Sequence, residues 1–204
     1  MTSSQRRTIF ILAGVSLLAG MGVFGFLVWT MFRNVMQPPP PRGDDRRLVV
    51  TAEALQEFGG PTPNPAAEEL TAIGQFDGSR NINYEYNTSK DPNAETRLVT
   101  STTTMVHGNA LSAIQAFKMQ QFATKAGVKL ARGAQLIDTP ALLTVGDANY
   151  AGVFRHNNES SGNLLVVRQG RYVFTVVLIG LVFDEPKEAD ALMLPLVEEA
   201  KKRS

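Results

Sequence analysis

The sequence predicts an α+β fold, an antiparallel β-sheet with helices packed on it, preceded by one N-terminal transmembrane helix. Three observations lead there. Residues Thr8 to Phe32 form a run of 25 residues without a charged side chain, long enough to cross a hydrocarbon core of about 30 Å as one helix. Downstream, Asn81 to Tyr86 alternates polar and apolar residues with the period of two of a strand that has one wet face. Two further segments, Asn109 to Gly127 and Pro186 to Arg203, repeat apolar residues at helical spacing.

The uncharged run carries Phe10, Leu12, Leu17, Leu18, Phe24, Phe26, Leu27 and Trp29, the last near its distal end, where an interfacial belt residue belongs. Arg6 and Arg7 ahead of it also suit a secretory signal peptide. The apolar core of such a peptide is only about 7–15 residues, however, and Val35, Met36 and Gln37 give no small-x-small site behind this run. An uncleaved signal anchor is therefore expected. A lipid anchor is excluded because there is no cysteine to acylate, and the same absence leaves the redox compartment open. Basic residues flank the run on both sides, but long C-terminal domains translocate largely regardless of charge. The expected topology is a single pass through a bacterial inner membrane, with residues 1–7 cytoplasmic and the C-terminal domain periplasmic or extracellular. Seven cytoplasmic residues cannot form an output domain, so any signal must pass to another protein.

Residues 33–47 are expected to be a stalk. Four consecutive prolines, Pro38 to Pro41, hold the backbone near polyproline II, and Asp44, Asp45, Arg46 and Arg47 suit a solvated hinge. Residues 48–204 are a normal size for one domain. From residue 44 onward 16 basic residues stand against 19 acidic ones. No basic stripe with interleaved aromatics is present, so nucleic acid is not an expected partner.

Within the domain, Thr51 can cap a short helix that Gly59 and Gly60 stop. The prolines at 61, 63 and 65 then break the chain, and Ala66 to Ala72 suits a helical turn or the start of a strand. Asp77-Gly78 is a turn signal joining a strand at Ile73 to Phe76 with the alternating strand Asn81 to Tyr86, whose Ile82, Tyr84 and Tyr86 should face inward. The β-branched stretch Arg97 to Val106 is the next strand. Asn109 begins a helix whose stripe of Ala110, Leu111, Ile114, Phe117, Gln121 and Phe122 must cover a sheet, with Lys118, Gln120 and Lys125 outside and Gly127 as terminator. Short strands are expected at Val128 to Leu130 and around Ala134 to Ile137. After Gly146-Asp147 comes a strand through Tyr150 and Phe154, then a polar loop from Arg155 to Gly162. Leu164 to Arg168 and Arg171 to Gly180 make a hairpin, and Tyr172 to Ile179, apolar on both faces, should be central in the sheet. Pro186 starts a last helix with Ala189, Leu192, Met193, Leu196, Val197 and Ala200 on one stripe and a kink at Pro195.

The run VGDANYAGVF, a polar loop, GNLLVVRQGRYVFTVVLIG and a closing amphipathic helix resemble bacterial extracytoplasmic domains of the PsbP/Mog1-like class over residues 109–204. The matching positions are Gly146, Asp147, Arg168, Gly170 and the strand Tyr172 to Ile179. The resemblance implies a binding or accessory module, anchored here by a helix where the lipoproteins use a lipidated cysteine.

Chemistry-bearing patterns are sparse. His107 or His156 could be combined with Asp147 and Ser160 or Ser161 into a hydrolase triad, but no G-x-S-x-G elbow positions a nucleophile. There is no metal-ligand spacing and no cofactor motif. Asp184 and Glu185 suit a helix N-terminus better than acid–base work. Tyr84, Tyr86, Tyr150 and Tyr172, with Phe154 and Phe174, are the candidate ligand-facing residues of a cleft between sheet and helix; a packed core is the competing reading. The expected function is that of a non-catalytic binding or accessory protein, in contact with the bilayer through its N-terminal helix and with a membrane or extracytoplasmic protein partner. A small-molecule or lipid-binding domain and an extracytoplasmic hydrolase are the alternatives.

Overall fold

The computed structural model describes residues 41–75, 78–88, 98–130, 134–156 and 159–204. The expected membrane anchor, with Phe10, Leu12, Leu17, Leu18, Phe24, Phe26, Leu27 and Trp29, lies outside the described residues, as does the stalk up to Pro40. Among the described residues no helix is long and apolar enough to cross a membrane.

Seven antiparallel strands form one sheet: β1 (Glu68–Gly74), β2 (Arg80–Asn87), β3 (Val99–Val106), β4 (Ala134–Asp138), β5 (Ala148–His156), β6 (Glu159–Gln169) and β7 (Tyr172–Ile179). Their order is β1-β2-β3-β7-β6-β5-β4. Among the described residues three α-helices accompany them, α1 (Ala52–Gln56), α2 (Ala110–Leu130) and α3 (Pro186–Lys202), so the domain is α+β with an antiparallel sheet. Strand β7 occupies the middle of the sheet, as its two apolar faces require: Tyr172, Phe174, Val176 and Leu178 enter one core and Val173 the other.

Several elements differ from the sequence expectation. Strand β1 begins at Glu68, the strand reading of Ala66 to Ala72, and stops at Gly74; Leu70 opposite Tyr84 and Ala72 opposite Ile82 add apolar cross-strand pairs to the core. Helix α2 runs through Gly127 to Leu130, so Val128 to Leu130 is helical and not a strand. One glycine in a helix costs only about 1 kcal/mol relative to alanine. The polar loop expected at Arg155 to Gly162 is mostly strand, since β5 and β6 continue pairing to His156 and Glu159 past a register shift at Phe154/Arg155. Gly162 is needed there, because a Cβ would lie 1.9 Å from the Leu178 carbonyl oxygen.

The charged tetrad Asp44 to Arg47, expected as a solvated hinge, is instead built into the fold. Asp45 opens a 3-10 turn through Leu48 and is 1% exposed. Both of its carboxylate oxygens accept from the Arg80 guanidinium at 2.6 Å, and one also accepts the Arg42 N–H. Arg203, at the end of α3, donates to the Asp44 carboxylate at 2.9 Å. These partners are distant in sequence, so local composition could not announce them.

After that turn, residues 48–55 form a strap across one face of the sheet. Leu48, Val49, Val50, Ala52 and Leu55 are buried in the larger core, between the sheet and α3. The inward residues of β3 beneath the strap are Thr100, Thr102 and Thr104, all fully buried. Thr104 Oγ1 donates to the Leu48 carbonyl, Thr102 Oγ1 donates to the Val50 carbonyl at 3.4 Å, and the Ala52 N–H donates to the Tyr84 hydroxyl at 2.8 Å. Beyond α1, Phe58 packs edge-on against Phe183 with ring centroids 5.3 Å apart. Phe183 is itself clamped by the buried Asn163 side chain, which accepts its N–H at 2.6 Å and donates to its carbonyl at 3.1 Å. Helix α3 closes this core with the stripe that its spacing announced, Ala189, Leu192, Met193, Leu196, Val197 and Ala200.

The threonine column sorts into two kinds of residue. Thr102→Val and Thr104→Val each keep shape but remove a hydroxyl donor to the strap, and each is expected to cost about 1 kcal/mol. Thr100 Oγ1 has no hydrogen-bond partner among the described residues, so Thr100→Val should be neutral or stabilising. Urea unfolding midpoints of the three variants check the contrast.

Candidate interaction surface

The four tyrosines do not share one site. Tyr84, Tyr86 and Tyr172 lie on the strap face, each at most 2% exposed, whereas Tyr150 is buried on the opposite face in the smaller core. Tyr84 lies under the strap and holds Ala52. The Tyr86 hydroxyl points to the Thr62 carbonyl at 3.5 Å, and Tyr172 stacks on Phe174 at 6.2 Å. Tyr150 donates to Asp138 at 2.7 Å across the neighbouring strand. Phe174 belongs with the first group and Phe154 with the second. A ligand would have to displace packed side chains to reach any of these rings. Burial raises the hydroxyl pKa of Tyr84 despite the opposing Ala52 N–H, and it raises that of Tyr150 with help from the Asp138 hydrogen bond.

The triad candidates are also separated. His107 follows β3 at the end of the sheet that carries the β6–β7 turn, where its N–H donates to the Arg171 carbonyl at 2.9 Å. Ser160 and Ser161 pair with Arg155 and Phe154 at the other end; the eight-residue interval between Ser160 and Arg168 spans roughly 27 Å of strand. His156 ends β5 opposite Glu159 and so lies at the same end as Ser160, while Asp147 precedes the start of β5 at the other end, so that carboxylate does not complete the pair. Asp147 has a structural occupation. Its carboxylate accepts the Gly170 N–H at 2.7 Å, Gln169 Nε2 at 3.1 Å and Arg168 at 3.1 Å, clamping the β6–β7 turn. Gly170 supplies the left-handed residue of that turn at φ 56°. Gly146 has φ 85°, and a Cβ on it would strike Val167 at 2.4 Å. Gly146, Asp147, Arg168 and Gly170 thus meet in space as turn punctuation. Among the described residues no group of three or more His, Asp or Glu side chains could hold a metal.

What the domain does present is the second face of its sheet. Helix α2 lies against β4, β6 and β7, and its Ala113 and Phe117 enter the smaller core with Tyr150, Leu164, Val166 and Val173. It leaves the β1–β3 half open. Thr71, Asn81, Asn83, Ser101 and Thr103 are half-buried there and Glu85 is exposed, and register places Thr71, Asn83 and Thr103 in one row. The alternation in β2 turns Ile82, Tyr84 and Tyr86 inward as its period predicts, and the polar residues between them form the outward side.

Helix α2 itself is turned relative to expectation. Of the stripe expected to cover the sheet, Leu111, Ile114 and Phe122 point outward with 66%, 37% and 70% exposure, and Met119 beside them is 65% exposed. The helix has apolar residues around most of its circumference, so periodicity alone did not choose its buried side. Two alanines, Ala113 and Ala116, decide it by allowing close approach to the strands.

Comparison of the chain with protein-family models, characterised proteins and solved structures gives no match.

The raised tyrosines make the domain alkali-sensitive. Unfolded tyrosine ionises near pH 10, while the folded pKa of Tyr84 and Tyr150 lies higher. Their contribution to stability is therefore complete below pH 10 and declines as the pH rises from there toward the folded value. Tyr84→Phe should flatten that decline and cost about 1–3 kcal/mol at neutral pH by orphaning the Ala52 N–H. Denaturant melts at neutral pH and above pH 10 check both effects.

Proposed function

We propose that this chain is a membrane-anchored, non-catalytic accessory protein. The uncharged run Thr8 to Phe32 holds it in a bilayer, the prolines space it, and the α+β domain binds a protein of a larger membrane assembly through the open β1–β3 half of its sheet. The observation that carries this reading is that half-face itself. Thr71, Asn81, Asn83, Ser101 and Thr103 stand on paired strands of a sheet whose other face is packed. They offer hydrogen-bonding groups whose positions are set before binding, so little freedom is lost on association. Their polarity suits a partner that also exists alone, since non-obligate interfaces are about as polar as ordinary protein surface. Ligand binding between sheet and helix has less support, because its candidate tyrosines are packed and divided between two faces. Hydrolysis has less still, because Asp147 and His107 stand at the end of the sheet opposite His156, Ser160 and Ser161, and Asp147 is engaged in the β6–β7 turn.

Full-length protein purified from its native membrane in mild detergent should bring a stoichiometric partner. Asn83→Arg, on the open row, should reduce partner recovery at least tenfold, with an unchanged thermal melt and unchanged membrane retention. Recovery of the wild type alone at monomer mass, or a partner indifferent to Asn83→Arg, would count against the proposed interface.

A further inference from the structure

The outward side of α2 differs in chemistry from the open half-sheet beside it, and we propose that it rests on an anionic lipid surface. This rests on the reading that the chain is membrane-anchored. Leu111, Met119 and Phe122 are large apolar side chains about two-thirds exposed, and Ile114 between them is just over one-third exposed. At 100° per residue, Leu111, Ile114 and Phe122 fall within about 80° of one another around the helix, with the exposed Lys118 among them and Met119 on their flank. The stripe from Leu111 to Phe122 is roughly 17 Å long. Such an arrangement of apolar residues with lysine is what an interfacial helix buries at the boundary between headgroups and acyl chains.

Charge selects the kind of surface. From His107 to Leu130 the chain contains Lys118, Lys125 and Lys129 and no acidic residue, whereas the rest of residues 41–204 has an acidic excess. An anionic headgroup layer attracts the one and repels the other, favouring contact through α2. The route of the chain is compatible. Val106, four residues before α2, pairs with Arg80, and Arg80 holds Asp45. The chain therefore joins the domain at the end of the sheet where α2 begins. Contact through α2 also turns the open half-sheet toward the bilayer side, where a membrane-embedded partner can reach it.

Because the chain has no cysteine, single-cysteine variants can carry an environment-sensitive NBD fluorophore. Full-length Phe122→Cys, and Lys187→Cys on the exposed start of α3 as control, would be reconstituted into phosphatidylcholine vesicles with and without phosphatidylglycerol. In the phosphatidylglycerol vesicles the label at 122 should be blue-shifted and quenched by spin-labelled lipid several-fold more than the label at 187, and added salt should reverse the difference. A label at 122 that remains water-like in these vesicles would overturn the inference. So would a 122–122 disulfide dimer without lipid quenching, which would assign the stripe to a second copy, or shielding that appears only in native membranes, which would assign it to a protein. Alkaline carbonate extraction of the same vesicles tests the anchor separately: extracted protein sinks the anchor reading, while retained protein with a water-like label sinks only this one.

Discussion

A column of polar side chains beneath a crossing strap organises this domain. Strand β3 turns three threonines toward the main core, a poor choice for a surface meant to be covered only by helices. The strap laid over them brings backbone carbonyls that need donors. Thr102 and Thr104 supply those donors, and the Tyr84 hydroxyl accepts the Ala52 N–H of the strap in return. Thr102, Thr104 and Tyr84 on one side and the strap backbone on the other thus satisfy each other, while Thr100 Oγ1 does not take part. The apolar residues between them, Leu48, Val50 and Leu55, then complete the core that α3 closes.

Charge ties down the start of the strap. The nearly buried Asp45 must keep Arg80, because a lone carboxylate at that depth would be strongly unfavourable. Arg46 bridges Glu53 and Glu68 at 2.8 and 2.9 Å, and Arg203 joins Asp44 to Glu199. These outer pairs are partly exposed and individually contribute little; their effect is to bind the turn Asp45–Leu48 to α1, β1 and α3 together.

The two faces of the sheet are unequal, and the proposed function follows from that inequality. One face is packed across its width by the strap and α3. Among the described residues the other receives α2, over β4, β6 and β7, so three strands keep a polar face and the helix keeps an apolar one. A strand row of threonine and asparagine suits a protein surface that must also tolerate water. Exposed leucine, methionine and phenylalanine around a lysine suit a lipid boundary. Neither is explained by the stability of the domain alone.

Local pattern determined the class of the fold, the central place of Tyr172 to Ile179 and the buried stripe of α3, because in each the hydrophobic period is unambiguous and one register alone hides the apolar residues. It also located the turn residues Gly146, Asp147 and Gly170, whose backbone demands are local. Only the tertiary structure decided which side of α2 is buried, since that helix is apolar around much of its girth and two alanines outweigh the larger side chains by permitting close approach. The same holds for Asp45, whose partner lies 35 residues away, and for the tyrosines, which the alternation correctly turned inward but could not show to be roofed by a strap on one face and a helix on the other. Periodicity reports which residues leave water; what they meet is set by contacts between segments distant in sequence.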